Sequence, residues 1–239
     1  MIRHKTAFPD NVSIVSTSRY IDGGKSVGRY SNFNLGIYVG DDTSSVQLNR
    51  DLLSKLYKLP SEPRWLKQVH SSVCVDDDSV HIDCADASVT TECGLVCVIL
   101  TADCLPIFAC SRDGERVGVA HAGWKGIVNG VIESFVDSFN GDDLLVHFGP
   151  AISKSAFEVG DDVYQQFIDK DKSLEGAFIG YKSKYKLDIY QAARIILNGL
   201  EVRNISGGDQ CTYKQDDKYF SYRRDGTNSG RMAHLIWRS

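Results

Sequence analysis

Residues 95–100 (Leu-Val-Cys-Val-Ile-Leu) are hydrophobic at every position, the pattern of a strand buried on both faces. After a break at Asp103-Cys104 the pattern resumes as a short strand over 105–110. A third strand, 117–121, runs into the tight turn Ala122-Gly123-Trp124-Lys125-Gly126. Residues 12–18 and 144–148 read as further strands, the second stopped by Gly149-Pro150. Elsewhere the period lengthens. Apolar residues at 48, 52, 53, 56 and 59 predict a helix over 46–59, with Thr43 or Ser44 as its N-cap and Pro60 as its stop. Ile127, Val128, Val131, Ile132, Phe135, Val136 and Phe139 make one face of a second helix. Residues 159–168 and 187–200 also read as helical, and 219–222 and 232–237 as β. Strands and helices are mixed without strict βαβ alternation, which predicts an α+β domain of layered sheets rather than a doubly wound one.

Composition narrows this picture. With 239 residues, 42% of them hydrophobic, the chain can bury a full core without staples. Five single prolines and the absence of any repeat or low-complexity tract leave no visible domain boundary. No apolar run approaches the ~20 residues that span a bilayer. Lys and Arg total 27 against 31 Asp and Glu, a net charge of −4, so neither a nucleic-acid binder nor a polybasic membrane anchor is expected. Met1-Ile2-Arg3-His4-Lys5-Thr6 opens no hydrophobic signal core, and the seven cysteines are an odd number. Both point to cytoplasmic thiols rather than a secreted disulfide framework.

Three side chains stand where strands stop. His70 follows Gln68-Val69, Cys104 follows the long buried run, and His121 ends the 117–121 strand. Two imidazoles and a thiolate are a normal three-ligand set for zinc, with a fourth position open to water or substrate. Thirty-three residues separate His70 from Cys104 and sixteen separate Cys104 from His121, which suits a catalytic metal better than the paired ligands of a zinc finger. The same residues allow a metal-free site, with Cys104 as nucleophile and either histidine as base. They also allow structural histidines and a buried inert thiol. Asp103 is a general base or orienting group, or simply a turn carboxylate.

Gln68-Val69-His70, Thr101-Ala102-Asp103-Cys104-Leu105-Pro106 and His121-Ala122-Gly123-Trp124-Lys125-Gly126 resemble the signatures of the YfiH/YlmD-type family. Members of that family have been labelled polyphenol oxidases or laccases and are described as purine nucleoside phosphorylases. The resemblance extends through Asn34-Leu35-Gly36, Asn49-Arg50, Ala85-Asp86-Ala87, Gly149-Pro150-Ala151-Ile152, Cys211-Thr212, Phe220-Ser221-Tyr222-Arg223-Arg224 and Gly230-Arg231. It implies one domain over 1–239, with a mixed β-sheet core sandwiched by helices in α/β/β/α layers and a distant likeness to bacterial toxins that use a Cys/His pair. It implies one zinc on His70, Cys104 and His121.

The implied chemistry is phosphorolysis of adenosine, inosine, guanosine and methylthioadenosine, together with adenosine deamination. An alternative is a hydrolase that removes a wrong amino acid from a UDP-muramyl precursor. With phosphorolysis as the reaction, Arg50 suits a phosphate or ribose contact, because a guanidinium fork matches an oxyanion. Asn34 suits a ribose hydroxyl or base edge, or else caps a turn. Lys125 stands where the family more often has arginine, which keeps the charge and loses the fork. Cys104, Asp103 and Arg50 are thus the expected catalytic residues, and Asn34, Arg50 and Lys125 the expected substrate contacts. A copper oxidase is disfavoured, since six singly spread histidines do not build a multicopper set. A non-catalytic metal module would need a fourth protein ligand, for which Cys211 and His147 are the candidates.

Overall fold

The computed structural model describes residues 2–3, 6–79 and 84–239. Met1, His4 and Lys5, on which the reading of the amino-terminal stretch rests, lie outside the described residues. The chain runs β1 (Ile2–Arg3), β2 (Val12–Ser16), α1 (Thr43–Tyr57), β3 (Cys74–Val75), β4 (Ala87–Thr90), β5 (Cys97–Thr101) and β6 (Leu105–Ser111). It continues with β7 (Val117–Ala122), α2 (Trp124–Asn129), α3 (Val131–Asp137), β8 (Leu144–Phe148), β9 (Glu158–Val159) and α4 (Asp161–Lys170). It closes with β10 (Phe178–Tyr181), β11 (Lys184–Leu187), α5 (Ile189–Gly199), β12 (Asn204–Gly207), α6 (Tyr222–Asp225) and β13 (Met232–Arg238).

Six strands form a mixed sheet in the order β12-β8-β6-β7-β4-β3, parallel at its two outer pairs and antiparallel between. A four-stranded antiparallel sheet, β1-β2-β13-β5, lies against it. A small antiparallel sheet, β10-β11-β9, shares no strand with either, and its Val159 and Leu187 join the core cluster under the large sheet.

Side-chain alternation along the strands assigns the layers. Phe108, Cys110, Val117 and Val119 meet Ile14, Cys97, Ile99 and Ile236 of the second sheet in one buried cluster. The opposite parity of the large sheet, including Ile107, Ala109, Ala120 and Ala122, packs under Ile127, Ile132, Phe135, Ala193 and Leu197 of α2, α3 and α5. On the far side of the second sheet, Val15, Val96, Val98 and Leu235 pack against Leu53 of α1. The result is the α/β/β/α layering expected of an α+β domain. It also explains the unbroken hydrophobic run at 95–100, because β5 is covered on both faces. Among the described residues, no helix is long and apolar enough to cross a membrane.

Several local expectations change. The N-cap of α1 is Asp42, whose side chain accepts from Ser45 N at 2.8 Å, and the helix ends at Lys58 in the left-handed region (φ 50°), before Pro60. The helix expected over 127–139 divides at Gly130, whose φ of 95° ends α2 and opens α3. Residues 219–222 form no strand. The Ser221 hydroxyl accepts from Arg224 N at 3.2 Å and starts the single turn of α6 instead.

Candidate metal centre

The two sheets deliver the three expected donors to one place. β5 ends at Thr101, the chain turns through Ala102 and Asp103 (φ 93°), and β6 begins just beyond Cys104. His121 is the penultimate residue of β7, where the chain leaves the sheet for Gly123 and α2. His70 sits on the segment leading to β3, also in the left-handed region (φ 61°). Gln68 docks this segment beside β5: its amide donates to Leu100 O at 2.8 Å, and its carbonyl accepts from Leu100 N at 2.7 Å. Asn129 of α2 donates to His70 O at 3.1 Å.

The Cys104 Sγ lies 3.7 Å from His70 Nε2, and the two imidazole rings are 4.7 Å apart, edge to face at 65°. One ligand atom from each of the three residues falls within 4.8 Å of the others. A tetrahedral ion with bonds of about 2.0–2.3 Å needs ligand atoms roughly 3.3–3.8 Å apart, so the Cys104–His70 separation fits. His121 is buried; His70 and Cys104 are half-buried, which leaves the group accessible from one side. Gly123 makes room for it, since a Cβ there would lie 2.6 Å from His70 Cδ2 and 2.9 Å from Cys104 Sγ.

Electrostatics favour the ligating thiolate of Cys104, while metal binding must displace the proton that the same pairing holds on His121. Burial alone would raise the Cys104 pKa, but the positive charge and hydrogen bonds of His121 and His70 bring it down to about 6. Burial opposes protonation of His121, yet the Cys104 thiolate and Asp86 outweigh it and raise the ring to about 9. His121 Nδ1 donates to Asp86 Oδ1 at 2.8 Å, and against the cost of burial that contact helps hold Asp86 at about 2. Without metal, the two opposed shifts favour a Cys104 thiolate beside a His121 imidazolium around neutral pH. Site-resolved alkylation of the metal-free protein should show a Cys104 inflection near pH 6, below the ordinary thiol value of about 8.5. Reactivity is lost as pH falls through that point. An inflection at 8 or above would mean that no ion pair forms.

The other expected site residues are placed as follows. Asp103 is buried and both of its oxygens are engaged: Oδ1 accepts from Thr212 Oγ1 at 2.6 Å, and Oδ2 accepts from Ser221 Oγ at 3.0 Å and Arg223 N at 2.6 Å. Instead of a general base aimed at a ligand, the structure has a carboxylate tying the Cys104 turn to two later loops. Asn34, expected at a ribose or base edge, is fully buried. Its amide donates to Gly36 O and Asp41 Oδ2, and its carbonyl accepts from Gly36 N and Arg231 N, so it acts as the turn cap. Arg50 donates from Nε and Nη2 to Leu35 O at 3.1 and 2.9 Å and lies over the Trp65 ring at 3.7 Å. Burial lowers its pKa to about 10. Lys125 is exposed on the first turn of α2, with Nζ 5.5 Å from the Trp124 ring.

Cys211 accepts from Ser153 Oγ at 3.0 Å and His147 Nδ1 meets Ser206 Oγ at 2.9 Å; neither joins the three-donor group. Arg224 is held by the carbonyls of Thr212, Tyr213 and Tyr219 and by Asp225, as an internal brace. Four participants escaped functional assignment in the sequence: Gln68, Asp86, Gly123 and Arg231. Arg231 is largely desolvated, which lowers its pKa, and the charges of Cys104 and Asp103 act on it in the opposite sense. Their positions inside recognisable blocks were the available signal.

A family model described as multi-copper polyphenol oxidoreductase laccase matches residues 14–239. The purine nucleoside phosphorylase YfiH of Escherichia coli (strain K12) is 43% identical over 233 residues, covering 96% of this chain and 95% of that protein. The chain belongs to the YfiH family. A purine nucleoside phosphorylase of Haemophilus influenzae is a further YfiH relative, 40% identical over 236 residues, with 96% of this chain and 95% of that protein covered. The YfiH-type fold is seen in the crystal structure of Neisseria meningitidis protein NMB0706 (TM-score 0.92, 38% identity, 100% of this chain and 98% of that one). It recurs in YlmD of Geobacillus stearothermophilus (TM-score 0.85, 27% identity, 96% of this chain and 92% of that one).

Proposed function

We propose that this chain is a zinc-dependent purine nucleoside phosphorylase, with residues 1–239 forming one catalytic unit in the cytoplasm. The observation that carries the reading is the convergence of His70, Cys104 and His121; the neighbouring imidazoles lower the Cys104 pKa, which favours a ligating thiolate. The activity by which the relatives are named supplies the substrate class. Zinc on these three residues would supply positive charge beside the reacting bond.

Phosphorolysis breaks the glycosidic C–N bond, forms a C–O bond from phosphate to the anomeric carbon, and returns a proton to the departing base. Three cationic side chains of this chain suit the phosphate: Arg50 through the guanidinium edge that Leu35 O does not occupy, Lys125 at the mouth of the turn, and Arg231, on which the charge of Cys104 acts. Asp103 keeps the Cys104 turn in its left-handed shape through Thr212 and Ser221. Adenosine deamination at the same site belongs to this reading. Phenol oxidation does not, since a multicopper enzyme needs several donor clusters and, among the described residues, one group of three converges.

The test is product analysis of zinc-loaded protein with adenosine, inosine, guanosine or methylthioadenosine, each with and without phosphate. Free base and pentose 1-phosphate are expected in equal amounts and only with phosphate present, and conversion of adenosine to inosine would reveal the deaminase. Turnover of an aminoacylated UDP-muramyl substrate, with every nucleoside left intact, would replace the phosphorylase reading by the hydrolytic one.

A further inference from the structure

We infer that Asp86 is the positioning residue of the metal centre, a single carboxylate that sets both the turn presenting His70 and the ring orientation of His121. The inference rests on the metal reading of the trio. Asp86 is completely buried, just before β4, and five donors converge on it. Oδ1 accepts from His70 N at 3.0 Å and from His121 Nδ1 at 2.8 Å. Oδ2 accepts from Val69 N at 3.2 Å, Ser71 N at 2.6 Å and Ser71 Oγ at 2.8 Å.

Three consecutive backbone N–H groups, those of residues 69, 70 and 71, thus point at one anion. This concave arrangement favours negative charge and needs a left-handed residue among the three, a role that falls to His70 at φ 61°. The same carboxylate takes the Nδ1 proton of His121, which directs the lone pair of Nε2 toward Cys104 and His70. The backbone adds a further tie, from His121 N to Asp86 O at 2.6 Å. Two ligands 51 positions apart in sequence are therefore registered by one side chain.

An amide of the same shape does not fulfil this role. In Asp86→Asn, one of the two terminal atoms becomes an NH₂. In either orientation it faces N–H donors, from His70 and His121 on one side or from Val69 and Ser71 on the other. One way the amide loses His70 N and His121 Nδ1 directly; the other way it loses the Val69 and Ser71 donors that shape the turn presenting His70.

Competition of Zn²⁺ alone against a chromophoric chelator tests the inference. Asp86→Asn should bind Zn²⁺ on the order of 10–100-fold more weakly than the wild type. Ser71→Ala, which removes one neutral donor of the five, should stay within about fivefold. Cobalt(II) in place of zinc should show a shifted thiolate charge-transfer band in Asp86→Asn. A measurement on the wild-type protein keeps the inference falsifiable if that variant does not fold. With ¹⁵N-labelled histidine and zinc bound, His121 must carry a slowly exchanging proton on Nδ1 and the metal-induced shift on Nε2. Wild-type affinity in Asp86→Asn, or metal at Nδ1 of His121, overturns the inference. Failure of the wild type to bind Zn²⁺ at all overturns the metal reading itself and the inference with it.

Discussion

Gly123→Ala is expected to leave the fold intact and the metal centre empty. Gly123 has φ −73° and ψ 161°, extended backbone that alanine adopts freely, so the substitution strains no backbone. The added methyl would stand 2.6 Å from His70 Cδ2 and 2.9 Å from Cys104 Sγ, where ordinary contact begins at 3.4 Å. The imidazole and the thiolate must each withdraw by several tenths of an ångström, whereas metal–ligand distances tolerate about 0.2 Å. Zinc content should fall from about one ion per chain to less than about a tenth of that, with phosphorolysis down at least about 100-fold. The metal-free variant should still melt cooperatively, within a few degrees of metal-free wild type. Elemental analysis beside thermal unfolding separates the two effects. A variant that retains full zinc would show that the trio is not the binding site.

Cys104→Ala should have the largest effect on turnover. It removes the one anionic ligand and leaves two imidazoles, one of them half-buried. A metal that contributes several kcal/mol to charge stabilisation corresponds, at about 1.4 kcal/mol per tenfold, to a loss of about 10³ or more. The competing reading of Cys104 as a nucleophile predicts the same loss of rate, so the rate alone does not decide between them. Metal content does. As a ligand, Cys104→Ala loses zinc, and chelation of the wild type abolishes turnover. As a nucleophile, the variant keeps zinc and the chelated wild type stays active. Product formation by thoroughly chelated wild-type protein would sink the metal reading.

What the sequence revealed and what it hid follow from the range of each interaction. The strand at 97–101 was legible because covering both faces of β5 leaves an unbroken apolar run. His70, Cys104 and His121 were legible because each stands at the end of a hydrophobic run or beside a recognisable block, a local property. The role of Asp103 was not, because its partners Thr212 and Ser221 lie 109 and 118 positions away. Nothing in Thr101-Ala102-Asp103 announces a carboxylate facing inward to two loops. Asn34 left two readings open for a similar reason: its residue type suits a ribose hydroxyl as well as a turn cap, and the partners that favour the cap, Gly36, Asp41 and Arg231, include one far away in sequence. The break at Gly130 lay within a helical pattern whose hydrophobic face continues on both sides of it, so periodicity did not register the φ of 95°. The hairpin β10-β11 escaped because each strand is only four residues long: Lys184-Tyr185-Lys186-Leu187 alternates, but too briefly to stand out beside the helical pattern that follows it.

The order of strands in the smaller sheet has a consequence for synthesis on the ribosome. β13, the last strand in sequence, sits between β2 and β5, an early strand and a middle one. Chains emerge amino-terminus first, so β2 and β5 are exposed for as long as the remainder of the polypeptide is being translated. Each then presents an unpaired edge of the kind that recruits other chains. β6, which begins one residue after Cys104, pairs directly with β7, which carries His121, and both are finished far sooner. A nascent chain thus pairs the strands beside Cys104 and His121 while the neighbouring sheet still waits for its centre. That interval is when the newborn protein is most exposed to misassembly.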